Sequence, residues 1–223
     1  MSSKPPSLHP HRTFLPNPFA SSTSTEPNGS IPLQSISATR TLPYPREQLY
    51  EIIADVNAYS SYLPYCRCSE VTAWTTMLPT STSTTTSHND GQQSQHGRRY
   101  PAEAILEVGW SAFTERFTSR IVCEPGVAVS AVAGKDAAEF GGAAADTSLL
   151  IRCRTKWKFE DVPSARGAEE DANTDVSLAL DFVLANPMYA AMSAAVAPKV
   201  AGIMIEAFER RARELLGERG RRR

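Results

Sequence analysis

The chain has 223 residues, of which 41% are hydrophobic, and a formal net charge of -1. This length is enough for one domain of ordinary size plus tails, and the near-zero charge argues against a generic nucleic-acid binder. No apolar run approaches the roughly 20 residues that a helix needs to span a bilayer. Four cysteines in a chain this long do not indicate a disulfide scaffold. Because no C-x-x-C pair occurs, we expect no metal site.

The N-terminal segment, residues 1–32, is of low complexity and precedes the predicted domain, residues 33–217. Its first acidic residue is Glu26, and Lys4 and Arg12 lie among many Ser, Thr and Pro residues. Such an acid-free, hydroxyl-rich start is typical of a mitochondrial presequence, although a disordered tail explains the same residues. Residues 75–99 are similarly polar and are predicted to form a disordered insertion between two strands. Residues 218–223 form a basic tail.

The predicted elements follow in a simple order. A helix begins after Pro45, and its apolar residues recur with helical spacing up to Val56. Period-two alternation of apolar and polar residues then predicts antiparallel strands in the stretches AEAILEVGW, FTERFTSRIVC, LIRCRTKWKFE and VSLALDFVL. A long helix follows Pro187 and ends near Gly217, a residue that suits a helix C-cap.

This order of elements predicts an α+β fold. A strand and a short helix precede about six strands, and one long helix ends the domain. The dry face of a curved antiparallel sheet must be covered, and the C-terminal helix is the only element large enough to do so. We therefore expect the sheet to wrap around that helix and to leave an apolar cavity between them.

The predicted core lacks the residues of common catalytic sites. The histidines, His9, His11, His88 and His96, all fall in the tail or the insertion, which leaves the core without the commonest general base. Neither a G-x-S-x-G motif nor a glycine-rich phosphate loop is present. We therefore assign no catalytic residues and expect no cofactor.

Glu115 breaks its local pattern, because it falls on the apolar face of its strand between Phe113 and Phe117. An ionised carboxylate on a dry face is costly unless it is paired or hydrogen-bonded. One interpretation is that a bulge turns Glu115 outward, or that Arg116 or Arg120 neutralises it. The other is that Glu115 orients the polar head of a ligand in an apolar cavity.

The stretch DVNAYSSYLPYC joins the short helix to the sheet and concentrates aromatic residues beside Pro64. Ordinary packing of a turn explains these residues. They also suit the mouth of a ligand cavity, with Asp55, Tyr59 and Leu63 at its rim.

Four stretches together resemble the coenzyme Q-binding proteins of the START-like, polyketide-cyclase superfamily. They are LPYPREQLYEIIADVNAYSSYLPYC, VGWSAFTERFTSR, KWKF and AFERRARELLG, and they occur in the family's order between Leu33 and Gly217. The match favours as family-pattern residues Asp55, Leu63, Pro64, Val108, Glu115 and Trp157. The chain departs from the pattern at Tyr65, where the family commonly has Trp, and in the alanine-rich residues 188–200.

The resemblance implies a START-like helix-grip fold and a lipid chaperone that carries ubiquinone as cargo. It also implies a peripheral protein on the matrix side of the mitochondrial inner membrane that supports respiration and ubiquinone synthesis. Expected partners are ubiquinone or a related isoprenoid quinone, anionic inner-membrane lipid, and ubiquinone-synthesis or respiratory-chain proteins, with no nucleic acid. Two alternatives stay open: a polyketide cyclase or aromatase-like enzyme, and a ribosome-interacting module of the same fold.

The strand faces and the resemblance together predict the residues that line the ligand cavity. They are Asp55, Tyr59, Leu63, Pro64, Leu106, Val108, Trp110, Phe113, Glu115, Phe117, Trp157, Leu178, Leu180, Phe182, Met192, Val196 and Ile203.

Overall fold

The computed structural model describes residues 33–75, 98–110, 113–139, 149–163 and 172–218. The strands are β1 (Gln34–Leu42), β2 (Cys66–Trp74), β3 (Pro101–Trp110), β4 (Phe113–Glu124), β5 (Ala128–Gly134), β6 (Leu150–Val162) and β7 (Asn173–Leu184). The helices are α1 (Arg46–Ala54), α2 (Tyr59–Tyr62), α3 (Lys135–Glu139) and α4 (Pro187–Leu216), with a 3-10 turn at Val56–Ala58. The predicted presequence, nearly all of the insertion and most of the basic tail lie outside the described residues.

The strands form one seven-stranded sheet in the order β1-β7-β6-β5-β4-β3-β2. Each neighbouring pair is antiparallel. Helix α4 packs on the sheet and contacts β1 and β7 most. The predicted fold class, a curved antiparallel sheet around a long C-terminal helix, is confirmed.

Both ends of α4 are fixed by identifiable groups. The Asn186 side chain accepts a hydrogen bond from the Met188 N–H at 2.8 Å, and Pro187 occupies the first turn, where its missing N–H costs nothing. The helix ends at Gly217, whose φ of 79° is in the left-handed region. The Tyr44 hydroxyl donates to the Gly217 carbonyl at 2.7 Å and so ties this end to the segment before α1.

The C-terminal half of α4 packs into a dense core, which we call the packed end. The apolar face of α1 lies in this core, as the helical spacing predicted. Phe208 lies at the centre with its ring 5.3 Å from that of Trp157 and 6.5 Å from that of Phe159. Tyr50 meets Phe159 edge to face at 6.0 Å.

A β-bulge interrupts β6 near its start. Leu150 pairs with Leu184 and Arg152 with Val183, so Ile151 is an extra residue opposite β7. As a result Leu150 and Cys153 both face the interior, whereas strict alternation had predicted that Ile151 does. That prediction is wrong at this residue, because one inserted residue reverses the side to which its neighbours point.

Candidate functional site

A cavity of about 280 Å³ lies between the concave face of the sheet, the N-terminal half of α4 and the turn that joins α2 to β2. This volume is just below the range of roughly 300–1,000 Å³ that is typical of ligand pockets. Its wall is almost entirely apolar and is formed by Ile36, Tyr59, Leu63, Pro64, Tyr65, Cys66, Leu106, Val108, Glu115, Phe117, Ser119, Val129, Ala131, Leu150, Cys153, Thr155, Trp157, Leu180, Phe182, Leu184, Ser193, Ala197, Val200 and Met204.

The cavity lies at the end of the sheet where α4 begins, which we call the cavity end. Here three of the described inward residues of α4 are small: Ala190, Ser193 and Ala197 are all buried. Small groups at these three positions fill little of the space above the concave face, and Val200 and Met204 line the cavity further along the helix. The small side chains of Ala190, Ser193 and Ala197 thus contribute to the open space on this side.

Glu115 is the charged residue in the wall of the cavity, and it is only 5% exposed. Its Oε1 accepts hydrogen bonds from the backbone N–H groups of Leu149 and Leu150, at 3.3 and 3.4 Å. Neither a bulge nor an ion pair with Arg116 or Arg120 removes it from the interior in the described part of the chain. The segment at the start of β6 thus holds the carboxylate through one oxygen, and no described residue bonds to Oε2.

A second polar group lies across the cavity on α4. The Ser193 hydroxyl accepts a hydrogen bond from the Gln34 side-chain amide at 2.6 Å and donates to the Ala190 carbonyl at 3.0 Å. The same amide nitrogen also donates to the Ala190 carbonyl at 3.0 Å. These bonds join the start of β1 to the first turns of α4. The sequence carries no periodicity signal for either side chain, and both were missed.

Tyr59 and Tyr62 of α2 are tied by their hydroxyls to the backbone of α1. The Tyr59 hydroxyl donates to the Ile53 carbonyl at 2.6 Å, and the Tyr62 hydroxyl donates to the Ile52 carbonyl at 3.4 Å. Burial raises the pKa of both phenols above the ordinary value, so they act as neutral donors to the backbone. Tyr65, whose φ is 67°, lines the cavity while remaining 41% exposed.

Two free cysteines, Cys66 and Cys153, also line the cavity. Burial raises the pKa of the Cys66 thiol to about 11 and that of the Cys153 thiol to about 12. Because the thiolate is the nucleophilic form, the raised pKa values lower the reactivity of both groups at neutral pH, where they serve as small hydrophobic side chains.

Most of the predicted residues with a described side chain lie in the cavity wall. They are Tyr59, Leu63, Pro64, Leu106, Val108, Glu115, Phe117, Trp157, Leu180 and Phe182. The side chains of Trp110, Phe113, Met192 and Val196 lie outside what the structure describes. Whether any of these residues contacts a ligand stays a prediction.

Three predicted residues lie elsewhere. Asp55 is exposed at the end of α1. Leu178 has the predicted inward face but is fully buried in the packed end, two residues before Leu180 along β7. Ile203 is 38% exposed on the outer side of α4, because the helical phase turns Val200 and Met204 inward instead.

The described residues form neither a candidate metal site nor a candidate membrane-spanning helix. They contain no cluster of three His, Cys, Asp or Glu side chains that could hold a metal ion. Among the helices that they form, none combines the length and apolar character required to cross a membrane.

Known proteins share this fold. A family model described as polyketide cyclase / dehydrase and lipid transport matches residues 42–209. The chain belongs to this family. A crystal structure of the ZhuI aromatase/cyclase from Streptomyces sp. R1128 has a TM-score of 0.52 and 17% identity, over 82% of this chain and 96% of the other. That likeness concerns the fold alone and agrees with the START-like helix-grip prediction.

Curated relatives fall into two functional groups. A mitochondrial coenzyme Q-binding protein of Schizosaccharomyces pombe is 28% identical over 181 residues, which cover 81% of this chain and 88% of the relative. A ribosome association toxin of Pseudomonas aeruginosa is 25% identical over 182 residues, covering 82% of this chain and 97% of the toxin. The resemblance to the coenzyme Q-binding proteins that the motifs predicted is therefore confirmed.

Proposed function

We propose that the protein binds ubiquinone or a related isoprenoid quinone in its cavity and acts as a lipid chaperone, not as an enzyme. The observation that carries the proposal is the cavity itself, an apolar space with a single buried carboxylate in its wall. An isoprenoid tail suits such a wall, because each Å² of apolar surface withdrawn from water contributes roughly 25 cal/mol.

A quinone ring needs a few polar groups at one end of the cavity. The carbonyl and methoxy oxygens of ubiquinone only accept hydrogen bonds, so the hydroxyls of Ser119 and Thr155 can donate to them directly. Glu115, whose Oε2 has no described partner, can donate to them only in its protonated form. Each hydrogen bond to the ring would contribute about 1 kcal/mol, so these groups orient the ligand while the tail supplies most of the affinity. Relatives named as coenzyme Q-binding proteins support the choice of a quinone over other apolar lipids.

The hydrogen bonds and protonation states of the cavity side chains favour a carrier over an enzyme. The Tyr59 hydroxyl is bonded to the backbone, and the pKa values of Cys66 and Cys153 keep their thiols protonated. A cyclase would need proton relays, and the likeness to an aromatase/cyclase at 17% identity concerns the fold alone. The proposal therefore favours storage or delivery of the quinone.

The proposal extends to location and partners. We place the protein on the matrix side of the mitochondrial inner membrane, in contact with anionic lipid, where it supports respiration and ubiquinone synthesis together with proteins of those pathways. Relatives named as mitochondrial support this location, and so do the acid-free first 25 residues of the chain.

Co-purification tests the proposal. The full chain is purified from cells that make ubiquinone, extracted with organic solvent and examined by mass spectrometry, and bound quinone is expected. Glu115→Lys should abolish binding, because it places an unpaired cation in the cavity. Glu124→Lys is the matched control, since Glu124 is exposed on the same strand and receives the same change of charge.

The outcomes separate the alternatives. Melting curves first establish that both variants fold. Quinone in the wild type and in Glu124→Lys, but not in a folded Glu115→Lys, supports the proposal. A wild-type cavity without lipid, together with co-sedimentation of the protein with ribosomes, would instead support the interaction module.

A further inference from the structure

A buried carboxylate, Asp136, lies beside β6 outside the cavity wall and is paired with two partly exposed arginines, Arg152 and Arg154. Asp136, in α3, is 0% exposed, and its Oδ2 accepts a hydrogen bond from the Arg154 Nε at 2.5 Å. The Arg152 Nε lies 2.8 Å from Oδ1 without the alignment of a hydrogen bond, so this arginine acts through its charge. Withdrawing a carboxylate completely from water is costly unless its partners are held in place.

The cluster of these three side chains lies directly beside the β-bulge of β6. Gly134, with a φ of 71°, pairs with Arg152, the residue that follows the bulge. A Cβ at Gly134 would lie only 2.3 Å from the Ile151 carbonyl oxygen, so the bulged backbone passes where any other residue would collide with it. Asp136 follows two residues later and holds Arg152 and Arg154 from the other side. Bulges frequently redirect groups next to functional sites.

The bulge lies next to the backbone N–H groups that hold Glu115. The Leu149 and Leu150 N–H groups that bond to its Oε1 come immediately before Ile151. The Leu149 carbonyl is fixed in turn by the Ala185 N–H at 2.7 Å. Leu149 lies in the bend that precedes β6, and its N–H and that of Leu150 converge on one oxygen. A shift of the chain by one residue at Ile151 would move both N–H groups relative to Glu115, because they lie directly before the bulge.

We infer that Asp136 is a positioning residue for the cavity. Together with Gly134, Arg152 and Arg154 it fixes the bulge at Ile151, and the bulge aims the Leu149 and Leu150 N–H groups at Glu115. This arrangement sets how well the cavity distinguishes a ligand with a polar head from one without. The last step rests on the proposed function, whereas the backbone steps do not.

The backbone steps are tested without ligand, by NMR of the Leu149 and Leu150 amides. Asp136→Asn should shift both amide resonances in the same direction as Glu115→Gln does, since both weaken the same two hydrogen bonds. Asp161→Asn is the matched control, because it removes an ion pair with Arg46, at 3.3 Å, near the other end of β6. Unchanged amides in a folded Asp136→Asn would overturn the inference whatever the ligand.

Discrimination is then measured with two probes, ubiquinone carrying two isoprene units and squalene, which has no polar head. Asp136→Asn should lower the ratio of the two affinities by up to about tenfold, the effect of one lost hydrogen bond. The double variant with Glu115→Gln should show the ratio of Glu115→Gln alone. Arg152→Gln, which leaves the Arg154 bond intact, provides a second variant if Asp136→Asn does not fold.

Two results would count against these claims separately. An equal fall in the affinity for both probes would show that Asp136 is merely structural, and would leave the proposed function standing. A folded wild type that binds neither probe would overturn the proposed function and the claim about discrimination, while the amide shifts would still decide how Glu115 is held.

Discussion

Helix α4 crosses both ends of the sheet, and its inward side chains differ between them. At the packed end they include Ile205 and Phe208, which are 2% and 0% exposed. At the cavity end the described ones begin with the small residues Ala190, Ser193 and Ala197, followed by Val200 and Met204. Strands β6 and β7 run through both ends, with Trp157 and Phe159 near one and Cys153 near the other.

The difference shows that side-chain volume decides where the cavity lies. The backbone provides the same curved sheet and the same helix along the whole domain. Large aromatic rings close the gap at one end, and small side chains leave it open at the other. Stability should therefore be concentrated at the packed end, and ligand binding at the cavity end, although one helix serves both.

The strongest test of this comparison is Phe208→Ala. Phe208 is 0% exposed and packs against two aromatic rings, so its removal should cost about 3–5 kcal/mol of the free energy of unfolding. Phe117→Ala should cost distinctly less, because one side of Phe117 already faces free volume. Urea denaturation measures both. Equal losses would show that the two ends do not differ in packing.

A matched pair on α4 sharpens the comparison. Ala212→Leu should destabilise the protein by about 1–3 kcal/mol, since Ala212 is 0% exposed within the packed core. Ala197→Leu should be nearly neutral, because the added atoms enter the cavity, and it should weaken ubiquinone binding at least tenfold by occupying the space of the tail. Denaturation and ligand titration are performed on both. An Ala197→Leu variant that binds normally would place the ligand elsewhere.

The sequence was sufficient for the fold and for ten of the 24 residues that line the cavity. Period-two alternation placed Leu106, Val108, Phe117, Leu180 and Phe182 on the concave face, because each of these strands has one dry side. Alternation shows which face of the sheet a residue lies on, but not whether that part of the face borders the cavity or the packed core. That is why Leu178 was expected in the cavity although it packs in the core.

The residues that were missed depend on contacts distant in sequence. The bulge at Ile151 follows from the left-handed backbone of Gly134 and from Asp136, neither of which interrupts the pattern of β6. Ser193 gained its role through Gln34, a residue 159 positions away. On α4 the alanine-rich sequence left the helical phase poorly defined, so Ile203 was assigned inward in place of Val200 and Met204.

The alkylation rates of the four cysteine thiols should show whether a ligand occupies the cavity. With ubiquinone at ten times its Kd, alkylation of Cys66 and Cys153 at pH 9 should slow by about tenfold, because only the empty fraction of the protein reacts. Cys68 and Cys123, which are not in the cavity wall, serve as internal controls. Peptide mass spectrometry follows each site. The absolute rates at Cys66 and Cys153 should be low, since burial raises the pKa values of these thiols to about 11 and about 12. Equal slowing at all four sites would indicate general stabilisation and not occupancy of the cavity.

The smallest expected effect concerns Tyr65, which combines a φ of 67° with a place at the cavity wall. A residue with a side chain pays about 1–2 kcal/mol for a left-handed backbone, whereas glycine adopts it freely. Tyr65→Ala keeps this strain and removes the ring, and Tyr65→Gly removes both. Tyr65→Gly should therefore be more stable than Tyr65→Ala by about 1 kcal/mol, the reverse of the order found where φ is negative.

Thermal denaturation of the two variants isolates the effect of the backbone conformation on stability, because neither variant retains the ring. If the alanine variant is the more stable one, the turn does not hold a left-handed residue here, and the Tyr65 carbonyl would not be fixed by the Gly109 N–H at 2.8 Å.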